Sequence, residues 1–506
     1  TYLGAYAQNQ WRVNENFELT MGIRMDVPSF GETGFTNPLA NALSFRDEDG
    51  NSVQYQTQKL PDANMLFSPR LGFNWNVKGE RQTQVRGGTG IFTGRPAYVW
   101  ISNQIGANGM LTGFEQIDNT TTRPFSPDPD TYKPAPTGEP AASYELAFTN
   151  PDFKFPQVWR SNIAVDQQLG NGFVGTAEFL YGKDVNGIYY INANLPAAQA
   201  QYTGADNRMR YTSNRIHSNI PNAIVLKNQN VGTMWNFAAS LEKAFSGGFF
   251  AKVGYNYGES KNTVDPGSIA SGSWFNNPIV NDPNNPENSL SANSPGHRFF
   301  TALSYKRDFF GFGTTGISLF VDGFTQGRGS YRFSGDANGD GGSNNDLLYV
   351  PTDVSEMNFQ QYTSGGNTYT VEQQQAAWEA FIAQDEYLSS RRGQYAERNA
   401  VVMPMLWRAD LSVTQDLASM VGGKVNKLQV RIDVLNFTNL LNQEWGVSSR
   451  FNSEQPLTNP SADGNGALRY RLRNIGGTLL TPETFIKNAG INDTYRFQLS
   501  LRYMFN

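Results

Sequence analysis

The stretch YRFQLSLRYMF (495–505) decides the fold. Tyr495, Phe497, Leu499, Leu501, Tyr503 and Phe505 alternate with Arg496, Gln498, Ser500, Arg502 and Met504. Extended, such a chain carries rings and aliphatics on one face and a mostly polar set on the other. A slip of one residue would put arginines on the greasy face, so the register is pinned. The same period recurs in Phe17, Leu19, Met21, Ile23 and Met25 against Glu18, Thr20, Gly22, Arg24 and Asp26. It recurs again in Leu428, Val430, Ile432 and Val434 against Lys427, Gln429, Arg431 and Asp433.

Further segments of this character begin near Tyr2, Arg70, Gln84, Val158, Phe173, Trp235, Phe249, Arg298, Thr315 and Met405, which makes about thirteen in all. Most run about ten residues, the length of a tilted strand crossing a bilayer. Strands of a soluble sandwich alternate too, but they average about five or six residues and have short loops at both ends. Here the connections are sorted. Short turns lie at Asn14 to Asn16, Gly79 to Glu80, Gly170 to Asn171, Ser246 to Gly248 and around Gly422 and Gly423. Between them stand long Pro/Gly/Asn-rich stretches at about 28–67, 94–157, 184–230, 261–295, 326–403 and 441–490, with 467–475 read as an extension inside the last. Short turns on one side and long loops on the other are the signature of an all-β transmembrane antiparallel barrel in an outer membrane.

Composition agrees. Of 506 residues, 17% are charged, against about 25% in an average soluble protein, 13% are aromatic and 50 are Gly. No apolar run approaches the roughly 20 residues of a membrane helix, and the mean hydropathy is −0.50. The absence of Cys excludes disulfide scaffolds, zinc ribbons and thiol catalysis. A net charge of −5 with no basic cluster argues against nucleic acid as a partner.

Strand parity carries a further expectation. If the last strand ends on the periplasmic side, the first runs inward from outside, and an odd count is not a complete bacterial barrel. Thr1 opens directly in a strand-like segment without an initiator Met or signal peptide, so the chain reads as part of a longer product, with the remaining strands elsewhere in it or in another chain. The polar face carries Glu18, Arg24, Asp26, Arg70, Arg160, Asp166, Glu178, Glu242, Lys252, Arg408, Asp410, Arg431, Asp433, Arg496 and Arg502. A lumen so lined is wet or filled with protein, since unpaired buried charge is not tolerated. Trp11, Trp75, Trp159, Trp235 and Trp407 fall in or beside strands, and some of them are expected in interfacial girdles.

Several strings, SPRLGFNWNV (68–77), RGGTGIFTGRPAYVWISNQ (86–104), VWRSNIAVDQQLGNGF (158–173), GDANGDGGSNNDLLYVP (335–351), RRGQYAERNA (391–400) and IDVLNFTNLLNQEWG (432–446), resemble the barrel of Oar-like TonB-dependent receptors. These occur in Bacteroidetes and some other Gram-negative bacteria and are distant relatives of SusC-type transporters. The resemblance implies an outer-membrane barrel of about 22 strands, of which this chain would supply the C-terminal part, an N-terminal plug, and a TonB box coupling the plug to the inner-membrane proton gradient. Neither plug nor TonB box is among these residues, so energy coupling rests on the resemblance alone. Outer-membrane lipid, the missing strands and plug, and the TonB complex are the implied partners. Whether a surface lipoprotein covers the mouth, as in SusC-type pairs, stays open.

Asp336-Ala337-Asn338-Gly339-Asp340-Gly341 matches the first half of a calcium loop, with oxygens at positions 1, 3 and 5 and Gly at 6. Position 12 is Leu347, but Asn344 and Asp346 stand near enough to substitute. The five candidate ligands of a structural Ca2+ are thus Asp336, Asn338, Asp340, Asn344 and Asp346, against the alternative of a metal-free Asp/Asn/Gly turn. From about 370 to 395, Ala377, Trp378, Phe381, Ile382 and Tyr387 recur at helical spacing and predict a helix packing onto neighbouring loops. Tyr98, Trp100, Phe114, Tyr132, Tyr144, Trp274 and Phe275 could stack on a sugar or peptide, or pack loops together. There is no G-x-S-x-G, Walker loop or H-E-x-x-H, and His217 and His297 lack a neighbouring nucleophile, so no enzyme activity is expected. The functional expectation is an energy-coupled importer. A surface interaction protein using the barrel as a scaffold, or a passive channel, are the alternatives, and the substrate is not legible.

Overall fold

The computed structural model describes the chain except residues 33, 78–81, 113–116, 118, 134–137, 422–423, 481–482 and 506, and the side chains of 418–425. The turns expected at Gly79 to Glu80 and at Gly422 and Gly423, and the aromatic Phe114, lie outside the described residues.

Thirteen long strands form the main path of one sheet: β1 (Tyr2–Arg12), β2 (Phe17–Pro28), β3 (Leu66–Asn76), β4 (Thr83–Thr93), β5 (Gln157–Gln168), β6 (Phe173–Asn192), β7 (Thr233–Ala244), β8 (Phe249–Asn262), β9 (Gly296–Arg307), β10 (Thr315–Thr325), β11 (Met405–Val421), β12 (Lys424–Leu435) and β13 (Arg496–Met504). Each is hydrogen-bonded antiparallel to the next. Period-two segments and strands coincide because one face must bury or meet lipid while the other stays wet. Among the described residues no ladder joins β1 to β13, and each pairs along one side only.

The greasy face points away from protein. Leu499 and Leu501 remain 68% and 67% exposed, as do Ile23, Leu71, Ile163, Val253 and Ile432 at 45% or more. Left in water, each such side chain would forgo about 1.5–3 kcal/mol of burial. Among the described residues no helix is long and apolar enough to cross a membrane.

The long connections are not loose. They fold into a cap with two hydrophobic cores. One gathers Phe45, Tyr55, Ile101, Phe148, Ile224 and Trp274 from the first four long loops. The other gathers Tyr331, Phe333, Trp378, Phe381, Phe451 and Leu472 from the fifth and sixth, joined by Tyr202 of the third. The stretch expected to loop from 184 instead continues β6 to Asn192, and Ala223–Gln229 pairs with that extension on one side and with Leu146–Thr149 on the other. At about 3.3 Å per residue β6 spans roughly 65 Å, well beyond an apolar band of roughly 25 Å. Its outer end is buried on both faces because the cap packs around it. The segment 467–475 forms a sheet within the cap, Leu468–Leu472 pairing with Leu457–Ala462.

The helix predicted at 370–395 breaks in two. α1 (Val371–Gln384) starts at a capping box between Thr370 and Gln373, and α2 (Glu386–Ser390) starts afresh where the Asp385 carboxylate takes the Leu388 N–H at 2.8 Å. Asp385 is extended rather than helical, which ends the first helix. Trp378, Phe381, Ile382 and Leu388 are all fully buried in the second cap core.

Candidate functional site

The continuous ladder makes the inner wall a matter of register. Gly22 opposes Arg70, Arg70 opposes Gly90, Gly90 opposes Arg160, and so on to Asp322 opposite Arg408 and Asp433 opposite Gln498. All fifteen inward charges named from the sequence therefore share one face. Several of these charges are paired along or across the strands of the wall. Arg86 crosses the small, buried Ala164 to reach Asp166 at 3.0 Å and Glu178 at 3.7 Å. Lys252 meets Glu242 at 2.8 Å, Arg431 meets Asp433 at 2.7 Å, and Arg298 makes two bonds to Asp322 at 3.0 and 3.1 Å. Arg86, Arg298 and Asp322 were not among the inward charges picked out of the sequence, yet the parity of their strands places them there. Over β6 to β10 this wall borders a concavity of about 950 Å³, lined by Glu178, Asn236, Asn256, Arg298, Phe320 and Asp322. Half-exposed ion pairs of this kind contribute little net energy.

On the outer face the rings meet in a belt at the long-loop end. Trp159 packs on Tyr181 at 6.0 Å, Phe179 stacks on Trp235 at 6.3 Å, Trp235 meets Tyr257 at 5.3 Å, and Phe299 stacks on Trp407 at 5.8 Å. Trp11 and Trp75 lie at the short-turn end, on strands paired through Leu19 and Phe17. The five tryptophans thus divide between two interfacial levels, three at one and two at the other.

Most aromatics of the cap serve packing. Tyr144 and Trp274 are buried, the Trp274 indole N–H donating to Asn284 Oδ1 at 3.0 Å, and the Trp100 indole N–H donates to the Gly267 carbonyl at 2.7 Å. Tyr98 and Tyr132 remain exposed. A cleft of about 460 Å³ opens between the fourth, fifth and sixth long loops, lined by Asp265, Ser273, Arg328, Arg332, Asn399 and Glu454. His217 Nε2 lies 2.8 Å from the Ser44 carbonyl oxygen with its ring edge-on to Phe45. His297 sits at the outer end of β9, its Nδ1 2.9 Å from the Tyr255 hydroxyl.

Of the five residues proposed for calcium, the fifth loop brings four together. Asp336 accepts the N–H groups of Gly339 and Gly341 at 2.6 and 2.8 Å. Asp340 Oδ1 accepts from Gly342 N–H at 2.6 Å, while its Oδ2 accepts from the amides of Asn338 at 3.1 Å and Asn345 at 2.9 Å. Asp346 accepts the Ala337 N–H at 2.7 Å and stands 3.3 Å from the buried Arg208. Asn344 is the exception: it is exposed and accepts from Gln455 at 2.7 Å, facing away, and Asn345 stands in its place. Burial pushes the Asp336, Asp340 and Asp346 carboxyls above the ordinary range. For Asp340 and Asp346 mutual repulsion adds to it, and Arg208 opposes it at Asp346. Among the described residues no group of three or more His, Asp or Glu side chains is placed to hold a metal ion, so any cation here would need amide oxygens as well.

Residues 1–465 match the family described as an outer membrane beta barrel domain. No curated protein matches the chain. Among solved structures, the FrpB iron transporter from Neisseria meningitidis (F5-1 variant) is 12% identical over 87% of this chain and 41% of its own, with a TM-score of 0.40. The outer membrane transporter YddB from Escherichia coli is 9% identical over 100% of this chain and 54% of its own, at 0.44. The copper transporter OprC is 10% identical over 100% and 48%, at 0.39. The chain spans about half the length of these proteins. With the family matched over nine tenths of its residues, the strands, the two aromatic levels and the sorted loops come to one conclusion: the chain belongs to the outer-membrane β-barrel domain family and resides in the outer membrane of a Gram-negative bacterium.

Proposed function

We propose that this chain is the C-terminal part of an Oar-like TonB-dependent receptor, distantly SusC-related, whose cap captures a substrate and whose lumen passes it inward under TonB control. The observation that carries this reading is the inner wall, one continuous polar face with several paired charges beneath a folded cap. An open diffusion pore has no need of a cap with two hydrophobic cores, whereas a capturing device needs loops held in fixed relative positions. The single-sided pairing of β1 and β13 favours further strands from another segment or chain, because an unpaired strand edge in lipid costs several kcal/mol per backbone group. A plug outside these residues would fill the wet lumen and meet its charges.

The test is conductance across planar bilayers of the whole receptor purified from native outer membranes. An importer is expected to stay closed without TonB. Steady ohmic conductance in that state would make it a passive channel.

A further inference from the structure

The cleft between the fourth, fifth and sixth long loops holds one cation that no carboxylate answers. Its charged lining side chains are Asp265, Arg328, Arg332 and Glu454. Three of them are matched. The Arg332 guanidinium meets Glu454 Oε2 at 2.7 Å and donates to the Asn344 carbonyl at 2.9 Å. Asp265 accepts two bonds at each oxygen: from the Asn262 amide at 2.9 Å and the Ser291 hydroxyl at 2.5 Å, and from the Ala292 N–H at 2.8 Å and the Asn399 amide at 3.2 Å. Its charge is answered from behind the wall, where Asn262 Oδ1 takes a bond at 2.6 Å from Arg398, which is 3% exposed. Arg328 differs. Among the described residues its half-buried side chain makes no ion pair and one hydrogen bond, a long one from Nε to the Ser294 carbonyl at 3.4 Å. Both terminal nitrogens of its guanidinium lack a protein acceptor, and the cations Arg328, Arg332 and Arg398 face only the carboxylates Asp265 and Glu454.

We propose that this cleft binds a small, singly charged carboxylate ligand whose carboxylate docks on the Arg328 guanidinium, an inference that rests on the cap being the capturing device. The planar fork of a guanidinium matches the two oxygens of a carboxylate, and such charge-assisted bonds are about twice as strong as neutral ones. A doubly charged phosphate fits less well, because one unmatched cation leaves its second charge facing Asp265 and Glu454. The root of Arg328 is fixed in advance. Arg328 and Gly329 pair antiparallel with Val402 and Val401, and Gly329 lies so close to Phe451 that a Cβ there would stand 2.4 Å from the ring. Little backbone ordering is then left for binding, which favours affinity. The rest of the ligand would meet Ser268, Asn276 and the exposed side chain of Ile269, so it is expected to be uncharged and partly apolar. At about 460 Å³ the cleft has the size of a small-molecule site.

The test uses the full receptor in detergent, titrated with acetate and N-acetylglycine as probes and with N-acetylglycinamide as the uncharged analogue, binding being followed by ligand-observed NMR. Saturable binding of N-acetylglycine is expected, with acetate weaker and the amide at least about tenfold weaker, the loss that follows from removing a charge-assisted pair. Arg328→Gln is expected to bring N-acetylglycine down to the level of the amide without moving the melting temperature of the probe-free receptor. Arg328→Lys keeps the charge and loses the fork, so it should bind between the wild type and Arg328→Gln, which keeps the test decisive if the glutamine variant does not fold. No saturable binding of either carboxylate at millimolar concentration, equal binding of the amide, wild-type affinity in Arg328→Gln, or displacement by equimolar inorganic phosphate would each overturn the assignment. The titration needs neither TonB nor an open lumen, so it can fail while the receptor stays closed in planar bilayers and succeed while it conducts.

Discussion

Glu48 shows how single residues tie the cap to the barrel. Its carboxylate pairs with Lys227 beside the β6 extension and accepts the Tyr189 hydroxyl at 2.7 Å, so the first long loop is anchored to the third. Burial by itself would raise this carboxyl, but Lys227 and Tyr189 more than offset it and hold it below the ordinary 4.5. The stabilisation is therefore complete above about pH 4.5 and is lost as the pH falls through the lowered folded-state value. The protection of first-loop amides against hydrogen exchange, relative to their intrinsic rates, is expected to fall over that acid range. Glu48→Gln is expected to remove that acid step and lower cap stability by about 1.5–3 kcal/mol, and an unchanged acid profile in the variant would show that Glu48 is not the anchor. The acidic loop shows where single-residue reading falls short. Oxygen spacing points to Asp336, Asn338 and Asp340, which the fold keeps together in one loop, but Gly339 and Gly341 take positive φ of +85° and +97°, and the phase beyond them shifts by one. Asn345 turns in where Asn344 was expected.

Strands were legible as elements because their two faces meet solvents of opposite kind. Leu499 and Gln498 differ by one position and face opposite ways, Leu499 opposite Ile432 and Gln498 opposite Asp433. Leu499→Arg is expected to destabilise the folded barrel by about 2–4 kcal/mol, as charges on a lipid face do near the bilayer midplane. Gln498→Arg, beside Asp433, should be tolerated, and equal losses in a urea titration in lipid would contradict the assigned faces. The helix at 370–395 was legible from its apolar spacing, but its break was not, since Asp385 trades helical geometry for bonds to α2, to Tyr331 and to Thr484, and the last two come from distant parts of the chain. The extension of β6 was hidden for a related reason. Its residues are buried on both faces, so they show no alternation, and their partners at Ala223–Gln229 and Leu146–Thr149 lie tens of residues away.

For the whole molecule, the wall and the sorting of the loops could be read from the sequence, while the cap could not. Pro/Gly/Asn-rich composition reads as loose connection, and the aromatics that give the cap its two cores are scattered singly through it. The chain has no Cys, so a single introduced thiol is unique within it. Ser304 faces the lumen near the short-turn end of β9, and Leu303 beside it faces outward. The most direct measurement of energy-gated import is labelling of Ser304→Cys in intact cells by a membrane-impermeant maleimide added outside, with Leu303→Cys as the lipid-face control. Ser304→Cys is expected to label several-fold faster when the inner membrane is energised, and to lose that gain when the proton gradient is collapsed. Labelling at the same rate in both states would contradict a gated importer and leave a permanently open channel in its place.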